Sequence, residues 1–119
     1  MPAIERREVG SFLSGAVVHN GVAYVSGQVC EGDTVAAQTA GILVKIDALL
    51  AATGSGKSAL LSTSIWLADV TTFHEMNEVW RNWLPPGHAP ARATVGAPLA
   101  DPKYRVEIAV IAAVESQPS

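Results

Sequence analysis

Apolar and polar residues alternate along this chain with two different periods, and the changes of period mark its elements. Ala16-Val17-Val18-His19 and Val22-Ala23-Tyr24-Val25 are two strand-prone runs flanking Asn20-Gly21. Asn-Gly tolerates the positive φ angles of a two-residue type I′ turn, whose twist matches paired strands, so the segment predicts a hairpin. Over residues 34–53 the period lengthens. Val35, Thr39, Ile42, Leu43, Ile46, Leu49 and Leu50 recur at helical spacing and form one broad apolar face. Asp33 or Thr34 is placed to cap this helix and Gly54 to end it. Gly41, inside it, points to a close approach by another backbone. Residues 60–68 read as a strand centred on Ile65-Trp66-Leu67.

A second helix is expected over residues 69–83, capped by Thr71 or Thr72, with Phe73, Met76, Asn77, Trp80 and Leu84 on one face. Pro85-Pro86-Gly87 stops it, because proline can neither donate nor continue the helix. Two last strands follow, over residues 91–97 and 104–114, and a short first strand near residues 4–9 fits the pattern. The order β-β-α-β-α-β-β predicts an α+β domain, a mixed sheet with both helices packed on one face. The other face is left open for subunit packing.

Composition strengthens that last expectation. The 119 residues suit one domain, 1–119, with a polar tail over 115–119 that is expected to fray. Hydrophobic residues make up 49% and charged residues 16%. A chain this short leaves much of its surface exposed when folded alone, so oligomerisation is expected. The net charge of −3 and the lack of a basic run argue against nucleic acid as a partner; Arg6-Arg7 is flanked by Glu5 and Glu8. One cysteine, Cys30, permits no intrachain disulfide, which suits a reducing compartment. No signal peptide and no apolar stretch of about 18 residues is read, so a cytoplasmic chain without a membrane span is expected.

Several motifs dissolve on inspection. Thr53-Gly54-Ser55-Gly56-Lys57-Ser58 resembles part of a phosphate-binding loop, but Ala51 stands where its first glycine belongs, and the segment ends a helix instead of opening one. His19, His74 and His88 have no ligand-spaced partners, so no metal is expected; His88, in a loop near Arg92, is the one placed to touch a ligand. Cys30 has no adjacent base. No Gly-x-Ser-x-Gly elbow is present. What remains is a pair of charges in apolar strands, Arg92 in Ala91-Arg92-Ala93-Thr94-Val95 and Glu107 in Val106-Glu107-Ile108-Ala109. A charge in a strand core is costly unless it is paired, so the plain alternatives are that both face solvent or that they pair with each other. Arginine is built to clamp a carboxylate with two parallel hydrogen bonds, and glutamate is a common base for activating water.

Val25-Ser26-Gly27-Gln28, Asp69 with Phe73 and Asn77, Pro90-Ala91-Arg92, and Val106-Glu107-Ile108 with Ile111-Ala112 occur in an order and spacing that resembles the Rid family (reactive intermediate deaminases, also called the YjgF type). The resemblance runs from about Gly10 to Val114. It implies a chorismate-mutase-like fold, a homotrimer with sites between subunits, and hydrolysis of small 2-imino acids or their enamine tautomers to 2-oxo acids and ammonia without a cofactor. By position it implies that Arg92 holds the substrate carboxylate, helped by the Thr94 backbone N–H, and that Glu107 orients or activates water. Ser26 and Gly27 would line the cleft, Phe12 would be an aromatic near the site, and Asn77 would be a recurrent helix residue. Phe12 stands where the best-known branch has tyrosine, Thr94 where it has cysteine and Ala93 where it has serine, so the chain resembles a divergent short branch. Weighed beside this reading are a non-catalytic carboxylate-binding trimer and a deaminase of a larger unsaturated amino acid from aromatic-ring breakdown. RNA cleavage is opposed by the acidic charge, and chorismate mutase needs more cations than are placed in any cleft.

Overall fold

Asn20 and Gly21 both adopt positive φ, 55° and 78°, and close a hairpin in which His19 faces Val22. This type I′ turn joins β2 (Ser14–His19) to β3 (Val22–Gln28). The computed structural model describes residues 3–115, and the tail expected to fray lies, beyond Glu115, outside the described residues. A short strand, β1 (Glu5–Val9), pairs with β2. After β3 come α1 (Val35–Ala52), β4 (Leu60–Leu67), α2 (Phe73–Trp83), β5 (Ala91–Gly96) and β6 (Val106–Ala113). The six strands form one sheet in the order β1-β2-β3-β6-β4-β5, antiparallel except for the β4–β5 pair. Parallel strands need a crossover, and α2 supplies it.

Both helices pack on one face of this sheet. Ile42, Leu43, Ile46, Leu49 and Leu50 of α1 and Met76 and Trp80 of α2 close over Val25, Ile65, Leu67, Ile108 and Val110. Each large apolar side chain so buried contributes about 1.5–3 kcal/mol. Alternation puts the next residues on the opposite face. Tyr24, Trp66, Val95, Glu107 and Ile111 lie there, with Tyr24 and Val95 about half exposed. The mixed sheet, the helix-covered face and the open face match the sequence expectation.

Four details differ or sharpen. Thr34, not Asp33, caps α1: its Oγ1 accepts from the Ala37 N–H at 3.0 Å, and the Glu75 carboxylate accepts from the Ala36 N–H at 2.9 Å. The second helix starts at Phe73 instead of residue 69, after a 3₁₀ turn over Val70–Thr72. Asp69 draws that turn together, since its Oδ1 accepts from both the Thr71 N–H and the Thr71 hydroxyl, and such a local bond competes with helical geometry. Gly41 makes room for a side chain and not for a backbone: a Cβ there would lie 2.4 Å from Cys30 Sγ. Finally, α1 has 18 residues with a mean hydropathy of 1.5, enough by length and composition to cross a membrane, contrary to the expectation that no stretch reaches that size. Its buried side, which includes Gln38 and Thr39, is packed in the domain core.

Gln38 also fixes the loop before β6. Its fully buried amide donates to Gly32 O at 3.0 Å and Lys103 O at 2.9 Å, while Oε1 accepts from the Arg105 N–H at 2.7 Å. A buried amide is tolerated when it is satisfied in this way. The staple holds Arg105, immediately before β6 and two residues before Glu107.

Candidate functional site

Arg92 occupies the second position of β5, at the sheet edge, opposite Thr63 of β4. Residues directly opposite in a ladder share a face, so Arg92 lies on the helix-covered side with Thr63 and Ile65. Its Nη1 donates to Asn77 Oδ1 at 2.7 Å, and its Cζ lies 5.5 Å from the Phe73 ring centroid and 5.8 Å from that of Trp80. Desolvation by partial burial pushes the guanidinium pKa below its ordinary value. Among the described residues no carboxylate lies within ion-pair distance of it. The arginine is therefore held by neutral partners, Asn77 and two ring faces, with most of its donors uncommitted.

Thr94 follows on the same face, opposite Ile65. The hydroxyls of Thr63 and Thr94 are buried and have no hydrogen-bond partner among the described residues. A cleft of about 500 Å³ opens beside Arg92 and Asn77. Trp80, Leu84, Pro85, Pro86 and Pro90 form its apolar walls, and Arg81 also lines it. His88 does not line it; its Nδ1 lies 2.9 Å from Pro86 O. A second hollow of about 620 Å³ between Arg7, His19, Gly54 and Val114 contains none of the expected site residues.

Glu107 is on β6 opposite Trp66, and so on the open face. Its carboxylate lies across the backbone of Gly27, where a Cβ would come within 2.1 Å of Oε2. An irregularity in the β3–β6 ladder between Val25 and Gln28 carries Ser26 and Gly27 out of regular register. Ser26 is bound within its own chain, its Oγ donating to Gly15 O at 3.0 Å and Gln28 Nε2 donating to Ser26 O at 3.1 Å. Phe12, between β1 and β2, is 98% exposed.

The expected residues thus fall into three groups. Arg92, Thr94 and Asn77 come together under α2. Glu107 and Gly27 come together on the other side of the sheet, with Ser26 next to them in the chain and bound to Gly15 and Gln28. Phe12 stands apart. Neither plain alternative for the two charges holds: Arg92 is half-buried against α2, and the sheet separates it from Glu107. Sequence reasoning put Phe73 and Trp80 on one helix face with Asn77 but gave neither a contact with Arg92. Their position three and four residues from Asn77 on one helix face was the signal available for both.

A six-stranded mixed sheet with two helices on one face places the chain in the α+β class, and its edge-strand arginine and open-face glutamate narrow the comparison. Residues 5–114 match the family described as endoribonuclease L-PSP, and the chain belongs to this family, which includes the YjgF and RutC proteins. It is 47% identical over 112 residues to the RutC family protein YoaB of Escherichia coli (strain K12), covering 93% of this chain and 98% of that protein. A RutC family protein of Haemophilus influenzae is 42% identical over 112 residues, covering 92% and 97%. The crystal structure of NMB1025, a YjgF family member from Neisseria meningitidis, superposes with a TM-score of 0.95 at 42% identity, covering 97% of this chain and 98% of that one.

Proposed function

We propose that the protein is a cofactor-independent hydrolytic deaminase of 2-imino acids and their enamine tautomers, acting as a homotrimer at sites shared between neighbouring subunits. The observation that carries this reading is Arg92, a partly desolvated guanidinium that lines a cleft, with a neutral hydrogen-bond partner and, among the described residues, no ion-paired carboxylate. Such a group favours an incoming carboxylate, which it grips through two parallel hydrogen bonds. The Thr94 backbone N–H assists.

A site that uses both Arg92 and a glutamate base takes Glu107 of the partner subunit, because one chain carries them on opposite faces. The half-exposed apolar residues around Glu107 on the open face support burial of that face by a neighbour. Phe12, fully exposed on one chain, gains cover in the same assembly.

The chemistry balances without a cofactor. As water attacks the imine carbon, Glu107 of the partner subunit accepts its proton, and the C=N electron pair moves to nitrogen. The glutamic acid passes that proton to the nitrogen, which gives the neutral carbinolamine. The carbinol hydroxyl proton then moves through the same carboxylate to nitrogen as C=O forms and the C–N bond breaks, and ammonia leaves. The sum is R–C(=NH)–COO⁻ plus H₂O giving R–CO–COO⁻ plus NH₃. Holding the imine carbon beside a water supplies much of the acceleration.

The test is ammonia release from 2-imino acids generated in situ by an amino-acid oxidase, with wild type and Arg92→Ala side by side. Acceleration that disappears in the variant is the expected result. No acceleration by wild type, or full activity in the variant, overturns the reading. Sedimentation at micromolar concentration is expected to give a trimer mass, and a monomer overturns the shared site. The family's description favours RNA cleavage as a second reading. A net charge of −3 with no basic stripe opposes it, since phosphate contacts supply most of the affinity for RNA.

A further inference from the structure

The Arg92 cleft has two kinds of lining. Arg92 and Asn77 offer hydrogen-bond donors and positive charge. Trp80, Leu84, Pro85, Pro86 and Pro90 offer almost only carbon. Arg81 is the other charged residue in the lining, and it is already paired with Glu78, three residues earlier on α2. A volume of about 500 Å³ exceeds what a three-carbon acid fills and falls in the range of about 300–1,000 Å³ usual for organic ligands of drug-like size.

From this we infer that the physiological substrate carries a large apolar side chain, aromatic or branched aliphatic, which occupies the groove formed by Trp80, Leu84 and the prolines while Arg92 holds the carboxylate. The inference rests on the carboxylate reading of Arg92 and narrows the substrate to one class of 2-imino acid. The physical reasons are three. Flat proline and indole surfaces pack well against a ring or a branched chain. A charged side chain in the groove would be desolvated against those surfaces with no free partner, since Arg81 is engaged by Glu78. A methyl group would leave most of the groove filled with water and forgo the apolar contact.

The walls also come from rigid parts. Trp80 is 4% exposed and anchored in the core, and Trp83, one turn along α2, donates its Nε1–H to Asp47 Oδ2 of α1 at 3.0 Å. Prolines at 85, 86 and 90 restrict the loop that faces them. A groove preorganised in this way loses little entropy when filled.

The experiment measures binding of product acids to the whole protein by isothermal titration calorimetry, using phenylpyruvate, 4-methyl-2-oxopentanoate, 2-oxoglutarate and pyruvate. The two apolar acids are expected to bind at least about tenfold more tightly than pyruvate or 2-oxoglutarate. In Ala89→Trp, where an indole is added to an exposed position of the groove wall, the preference is expected to fall below about threefold. Equal affinities, a preference for the small or dicarboxylic acid, or a preference unchanged in Ala89→Trp overturns the inference. Its failure is separable from that of the deaminase reading. Imine hydrolysis without side-chain preference sinks the groove and keeps the enzyme. The ranked binding without any imine hydrolysis keeps the groove and sinks the enzyme.

Discussion

Arg92 and Glu107 lie on opposite faces of one sheet, with β4 running between their strands: Arg92 pairs with Thr63, and Glu107 pairs with Trp66 three residues further along the same strand. Strand parity imposes this, because three is odd and successive side chains alternate in direction. Movement of either side chain cannot bring the two together through a packed sheet.

This relationship gives a complementation test. Arg92→Ala and Glu107→Gln are each expected to lose turnover, with Glu107→Gln still binding 2-oxo acids. When the two variants are unfolded together and refolded as an equal mixture, a trimer with shared sites regains about a quarter of wild-type activity, since one site in four draws both intact residues. Activity in the mixture no higher than in the separate variants counts against the shared site.

Gly27 is expected to matter for turnover more than for folding. In Gly27→Ala the new methyl collides with the Glu107 carboxylate, the movable end of a long side chain, so the glutamate swings aside. Stability measured in urea should change by less than about 1 kcal/mol. Deamination should fall at least about tenfold while oxo-acid binding persists. Normal turnover would show that Glu107 needs no support from Gly27.

Gln38→Ala should destabilise strongly without touching the cleft. It leaves the Gly32 and Lys103 carbonyls and the Arg105 N–H without their partner, at a cost of about 3 kcal/mol. Urea midpoints measure the loss. A change below about 1 kcal/mol would mean that the loop finds other partners.

The pH dependence of stability has a definite sign. The Thr71 hydroxyl and N–H hold the Asp69 carboxyl below its ordinary pKa, and the hydrogen bond from Lys103 does the same for Glu31. Depressed carboxylates contribute stability above their unfolded pKa, and lose it as pH falls through the folded value. The Glu31 hydrogen bond raises the Lys103 pKa, so that contribution is complete below the unfolded lysine value and is lost as pH rises through the folded one. The difference in urea midpoint between wild type and Asp69→Ala should therefore narrow between pH 7 and pH 3. A constant difference would remove the capping bond as its source.

The secondary structure was legible because its signals are local. Asn20-Gly21 fixes a turn by its own conformational preference, and residues 35–50 carry a helical period whatever surrounds them. The start of α2 was misplaced because Asp69, read as the first residue of the helix, instead binds Thr71 and draws a separate turn ahead of it. The close neighbour of Gly41 was mistaken for backbone because Cys30 reaches it through the fold. At the site, Arg92 and Glu107 stood out by charge alone. Their separation by the sheet depends on the β6-β4-β5 order and on register, which no local pattern encodes. Phe73 and Trp80 could be placed with Asn77 on one helix face, but the meeting of that face with Arg92 depends on the same long-range order.

The parts of the Arg92 cleft age differently under mutation. Arg92 and Asn77 are tied to the sheet and helix, where a change disturbs packing. Pro85, Pro86, Ala89 and Pro90 belong to the loop between α2 and β5, outside any helix or strand. Substitutions there can accumulate with little penalty to folding, so substrate range can drift while the scaffold and its anchoring arginine stay constant. Lineages that share this fold are expected to differ first in those few loop positions, and exchanging residues 85–90 between relatives is the shortest evolutionary route from one substrate to another.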